Sequence, residues 1–244
     1  MLQAVPFQPS NGGTQKSQPA QQQELVSVPL YHHEQARELL GLDELTTFGE
    51  SKERLASLAL FVHERVNNLL PEADRARAPR LAKTLIETAN RHEMDPLLLM
   101  ALIKQESRFN PRAVGSHGEI GLMQMKPSTA AWLAEKGLVD VAGDGSEEAY
   151  RIALRDPSKN VVYGTAYLSY LRSSFKGRGS LYLAAYNMGA LNVRTKIKSG
   201  ERPRIYSDRV LSHYVALTVD FASAEKVALK RMNVASNAVA TLVQ

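Results

Sequence analysis

From His33 onward, apolar residues recur at helical spacing. In SKERLASLALFVHERVNNLLP, Leu55, Leu58, Val62, Val66 and Leu69 fall three or four apart, with Ser51 as N-cap and Pro71 as the stop. Before it, EQARELLGL reads as a short helix ending near Gly41. After it, PRLAKTLIETANRHE sets Leu81, Leu85, Ile86 and Ala89 on one face. DPLLLMALIKQESRF then opens with Asp95 as N-cap and Pro96 at the first helical position, where a missing N–H costs nothing. PSTAAWLAEKG and DPSKNVVYGTAYLSYLRSSF give two more helices, the second again opening with Asp-Pro. SLYLAAYNMGALNVRTKIKSG reads as two short helices broken near Gly189, and a long helix runs from about Tyr206 into the tail. No run alternates apolar and polar residues, so the pattern predicts an all-α fold. The irregular stretch deep in the chain is NPRAVGSHGEIG, residues 110–121, with Gly115, Gly118 and Gly121.

Three segments follow from this pattern. Residues 1–28, with QPSNGGTQKSQPAQQQ, lack periodic apolar positions and read as a disordered leader or linker. Residues 29–74 form a helical N-terminal extension, and residues 75–244 one all-α domain. No internal repeat stands out.

Composition narrows the function classes. The 244 residues are 44% hydrophobic and 23% charged, ordinary for a globular protein. No apolar run, LASLALFV included, comes near the eighteen or so residues of a membrane helix, so no transmembrane segment is expected. The net charge of +5 favours a polyanionic partner without choosing one. Lys/Arg blocks are short and no aromatics interleave with them, so nucleic acid is set aside. The absence of cysteine excludes disulfides, thiolate metal sites and cysteine nucleophiles. His32, His33, His63, His92, His117 and His213 have no ligand spacing, so no metal or other cofactor is expected. MLQAVPFQPSNGG lacks a charged segment followed by an apolar one, so a secretory signal is expected to have been removed or replaced by another route.

Candidate chemistry begins in IKQESRFNP, residues 103–111. The helix from Pro96 to about Ser107 is apolar all round, which means buried. Glu106 follows Leu102 and Ile103 by one turn and so lies beside that buried surface. Burial and the negative end of the helix dipole both disfavour its charged form, and a carboxyl kept neutral near pH 7 can act as a general acid. Spacing alone leaves open a surface residue paired with Lys104 or Arg108.

Three further stretches add to it: G-E-I-G-L-M-Q at 118–124, A-A-Y-N-M-G at 184–189, and R-I-Y-S-D-R-V-L at 204–211. With E-S-R-F-N-P, in this order, they resemble the family 1 (soluble-type, SLT-domain) lytic transglycosylases, which have a goose-lysozyme-like fold and cleave bacterial peptidoglycan. The resemblance covers about residues 80 to 222.

The resemblance implies that Glu106 is the acid/base. It would protonate the glycosidic oxygen between N-acetylmuramic acid and N-acetylglucosamine, with assistance from the 2-acetamido oxygen. As a carboxylate it would then take the proton of the C6 hydroxyl, which closes on C1 to give a 1,6-anhydro product. It also implies that Met123 and Gln124 line the groove, that Tyr186 and Asn187 stand close to Glu106, with Asn187 on the acetamido group, and that Tyr206 orients Glu106. Ser107 is the motif serine and is expected to cap backbone behind Glu106.

The chain departs from the pattern at Gly115, where many members have Ser, at Glu119, where many have Ala, and at Ala190, where Pro often follows the Tyr-Asn motif. Goose-type lysozymes have an acidic residue where Lys126 stands, which argues against a water nucleophile. A muramidase, in which Glu119 as a second carboxylate near the groove could activate water, and a glycan-holding module that does not cut remain the alternatives. The partner implied is peptidoglycan in the bacterial periplasm or cell envelope. Residues 29–74 could serve as a cap, a dimer contact or a dock for an envelope assembly or secretion machine.

Overall fold

The computed structural model describes Glu38 and residues 52–242, with side chains described at Glu38 and from 57 to 227. The segment 1–28, the short helix ending near Gly41 and the Ser51 cap fall outside the described residues. The helices are α1 (Lys52–Leu69), α2 (Ala78–Arg91), α3 (Pro96–Ser107), α4 (Pro127–Glu135), α5 (Glu147–Leu154), α6 (Pro157–Ser174), α7 (Gly179–Met188), α8 (Ala190–Lys198) and α9 (Ile205–Leu242), with a 3-10 turn at Glu72–Arg77. The described residues form no strand, only isolated antiparallel bridges from Ile120 to Val114 and Met125. The expected all-α fold is thus what forms. No described helix is long and apolar enough to cross a membrane.

The middle of the fold is α3. Every residue from Leu97 to Ile103 is fully buried, as its all-round apolar sequence requires. Its start is held twice: Asp95 caps the Leu97 N–H at 2.8 Å, and its other oxygen accepts from the Tyr214 hydroxyl of α9 at 2.6 Å. These bonds fix the buried Asp95 carboxylate and set the register of α9 against α3. Leu81, Leu85 and Ala89 of α2 are buried, with Ile86 packed at the edge of the same core.

Helix α1 shares that core through Leu58, Phe61, Val62 and Val66. Phe61 meets Phe221 of α9 at 5.3 Å between ring centroids, and Arg65 pairs with Asp220 at 2.5 Å. Buried Asp74 receives Arg112 in a two-pronged ion pair, one contact at 3.0 Å, so residue 74 is tied to the loop after α3. Glu38 pairs with Arg172 of α6 at 2.6 Å.

Two features were not foreseen. Helix α5 is only eight residues long, capped by Ser146, and buries just Tyr150, Ala153 and Leu154, too few for its periodicity to stand out. A second irregular stretch, 136–146, precedes it, with Gly137, Gly143 and Gly145 at positive φ.

Candidate active site

Glu106 occupies the last turn of α3, and the chain reverses immediately after it. Arg108 and Phe109 both take left-handed backbone, φ 51° and 63°, although neither is glycine. Each such residue costs on the order of 1 kcal/mol. The fully buried Phe109 ring and the Asn110 carboxamide, which accepts the Arg112 N–H at 3.0 Å, hold the reversal. The end of α3 is thereby fixed in place.

The loop that follows is built around one buried side chain. Asn160 of α6 is wholly buried; its Oδ1 accepts the Met123 N–H at 2.7 Å, and its Nδ2 donates to the carbonyls of Ile120 at 2.7 Å and Leu154 at 2.9 Å. Gly121 sits against it at φ 77°, where a Cβ would lie 2.5 Å from Asn160 Nδ2. Both the backbone angle and the space demand glycine. Asn160 gave no signal in sequence because one Asn within a helix pattern has no spacing to betray it.

Met123 does not line the groove as expected. Its side chain is fully buried and fills a notch on α6 at Gly164, where a Cβ would stand 2.5 Å from its sulfur. Apolar burial wins over exposure in a polar cleft. Only its backbone serves the site: its carbonyl accepts the Tyr186 hydroxyl at 2.8 Å. Met125 lines the cleft instead.

That cleft has a volume of about 530 Å³. Glu106, Gln124, Tyr186 and Asn187 all line it, together with Glu119 and Lys126. Gln124 donates from Nε2 to Gly121 O at 2.9 Å and Ala113 O at 3.2 Å, so half of its amide braces the loop. Asn187, at the exposed end of α7, keeps its amide open to the cleft. Ser107 donates to Ile103 O at 3.2 Å and is structural. His117, Tyr167 and Thr129 also line the cleft and were not singled out from sequence. A neighbouring crevice of about 580 Å³ shares Asn187 and Met188 with it and is lined by Tyr206, Arg202 and Arg204.

Tyr206, in the first turn of α9, donates its hydroxyl to Glu106 Oε1. No ion pair to Lys104 or Arg108 forms among the described residues; the surface alternative for Glu106 is not what the fold makes. Burial pushes the Glu106 pKa up, the Tyr206 hydrogen bond pulls it back and the nearby Glu119 charge pushes it up again, leaving it at about 7. Burial, more than any other cause, keeps this acid neutral. Glu119 differs: burial pushes its pKa up, but hydrogen bonds from its own backbone N–H, from His117 and from Lys126 prevail and hold it below the ordinary carboxylate value. Burial raises the Tyr186 and Tyr206 pKa values well above the usual phenol value, so both stay as hydroxyl donors.

Comparison with known proteins identifies the family. Residues 83–208, more than half of the chain, match the family described as the transglycosylase SLT domain. The membrane-bound lytic murein transglycosylase C of Actinobacillus pleuropneumoniae serotype 5b (strain L20) is 34% identical over 123 residues, 47% of this chain and 32% of that protein. Its namesake in Yersinia pestis (strain Pestoides F) is 32% identical over 132 residues, 51% and 36% of the two chains. The chain therefore spans about a third of the length of these relatives. Among solved structures, an inactive mutant of the lytic transglycosylase Slt from Pseudomonas aeruginosa superposes with a TM-score of 0.50 at 28% identity, over 57% of this chain and 24% of that one. The 70 kDa soluble lytic transglycosylase from Escherichia coli gives 0.50 at 25% identity, over 69% and 31%. Glu106, Gln124, Tyr186, Asn187 and Tyr206 all lie inside the matched span, and the chain belongs to the transglycosylase SLT-domain family.

Proposed function

We propose that the protein is a peptidoglycan lytic transglycosylase acting in the bacterial periplasm or cell envelope. It cleaves the β-1,4 bond between N-acetylmuramic acid and N-acetylglucosamine. The observation that carries this reading is a single carboxyl, Glu106, kept neutral by burial to about pH 7 and oriented by Tyr206 in an open groove. A polymer needs a groove longer than one sugar, and the adjoining crevices supply it.

Glu106 gives its proton to the glycosidic oxygen as the bond to C1 breaks. The substrate's acetamido oxygen closes on C1, with Asn187 available to hold the amide. Glu106, now a carboxylate, accepts the C6 hydroxyl proton; O6 displaces the acetamido oxygen and the 1,6-anhydro ring forms. The acid is regenerated and no water is consumed. One carboxyl suffices as proton carrier because the substrate supplies both nucleophiles, an exception to the two-carboxylate pattern. Glu119 is a poor base with its pKa held down, and Lys126 occupies it at 3.3 Å, which supports anhydro products over hydrolysis.

The test is mass spectrometry of products released from sacculi by the wild type and by Glu106→Gln. Anhydromuramic ends, absent with the variant, are expected. Products heavier by one water would make it a muramidase. Binding without release would leave a glycan-holding module. Helix α1 is packed into the core, and a dock for envelope machinery would use its outward face, where Leu60 is exposed.

A further inference from the structure

Gly115 and Glu119 are a matched pair. A Cβ at position 115 would stand 2.3 Å from Glu119 Oε2 and 2.9 Å from Gln124 Oε1. The missing side chain at 115 is the space that the Glu119 carboxylate occupies. That carboxylate is held at both oxygens: Oε2 accepts the His117 N–H at 3.0 Å and Oε1 meets Lys126 Nζ at 3.3 Å. Its side chain remains 20% exposed, and it lines the same cleft as Glu106. A surface glutamate would be neither braced in this way nor given room by a neighbour's lost Cβ.

We propose that Glu119 is a second catalytic residue of this cleft, a fixed negative charge that stabilises the positive charge developing at the anomeric carbon while Glu106 delivers its proton. This rests on the glycan-cleaving function proposed above. Cleavage of a glycosidic bond passes through an oxocarbenium-like state, and a carboxylate kept ionised beside it is worth more in a cleft than in water. Two carboxyls pushed apart by their surroundings, one neutral and one charged, are how an acid and a stabilising anion are made from the same residue type. No bond to Glu119 forms or breaks, and it carries no proton.

The groups that line the cleft with Glu106 or contact it are Tyr206 from α9, Tyr186 from α7, Tyr167 from α6, and His117, Glu119 and Lys126 from the loop. The His117 ring lies 3.9 Å from Glu119 Oε1, so a His117→Gln background isolates the carboxyls.

The experiment compares wild type with Glu119→Gln, Gly115→Ala and the double variant, in that background, on sacculi across pH. Glu119→Gln should lower kcat by about tenfold or more with KM within about twofold. Gly115→Ala should act in the same direction by displacing the carboxylate, and the double variant should lose little beyond Glu119→Gln. Carboxyl NMR titration without substrate should show the Glu106 midpoint falling in Glu119→Gln. An unchanged kcat, or fully additive losses, overturns the inference. So does a product that changes from reducing ends to anhydro ends in Glu119→Gln, since Glu119 would then be a base for water. A wild type that cuts nothing overturns the glycan-cleaving reading itself, while the titration still reports the coupling of the two carboxyls.

Discussion

The Tyr206 hydroxyl donates to the Glu106 carboxylate across 100 residues of chain. This bond brings the start of α9 to the end of α3 and decides which way the acid points. It also favours the charged form, opposing burial. Tyr206→Phe should therefore raise the Glu106 pKa above about 7 and move the basic limb of the pH–rate profile to higher pH. The lost orientation should lower the maximal rate by about tenfold. Dye release from labelled sacculi across pH reads both effects.

Glu106 makes the folded state sensitive to pH. Its pKa is raised in the fold, from 4.5 to about 7. Such a group contributes its full stability below pH 4.5 and loses it as pH rises through about 7. Glu106→Gln never ionises and escapes this loss. The variant should be inactive, yet more stable than wild type at pH 8 by up to about 3 kcal/mol, with the difference shrinking toward zero near pH 4.5. Urea midpoints of both proteins at the two pH values check it. A constant difference would show that the acid is not held neutral by the fold.

Asn160→Ala should cost about 3 kcal/mol or more, because it strands the buried Met123 N–H and two carbonyls. It should also lower activity, since the loop it pins carries Gln124 and the carbonyl that holds Tyr186. Thermal melts and sacculus cleavage measured on one preparation separate this double effect from a purely local one.

Tyr214→Phe removes the hydroxyl that α9 lends to Asp95 and should destabilise by about 1–2 kcal/mol. Asp95→Ala removes the cap as well and should cost more, about 3 kcal/mol. Because the register of α9 places Tyr206, both should reduce cleavage at temperatures well below the melt. Full activity in Tyr214→Phe at 25 °C would show that the Tyr206–Glu106 bond alone sets that register.

Much of this protein was legible along the chain. Asp-Pro openings marked α3 and α6, since an Asp cap and a proline at the first position work locally. All-round apolar composition marked α3 as central, and Gly189 marked the break between α7 and α8. The family resemblance carried by the order of the motifs singled out Glu106, Gln124, Tyr186, Asn187 and Tyr206. What spacing cannot carry is which side of a loop faces the core. Met123 turned inward to Gly164 because burial there outweighs exposure in a polar cleft, and Met125 took the lining. Asn160 and the Gly115–Glu119 fit depend on chain segments brought together only by the packed fold. The sequence by itself determined the helices other than the short α5 and supplied an acid at the end of a buried one. Tertiary structure alone decided that this acid's pKa rises to about 7 while that of a second carboxyl in the same cleft is held below the ordinary carboxylate value, because desolvation and hydrogen-bond partners are properties of the assembled surroundings.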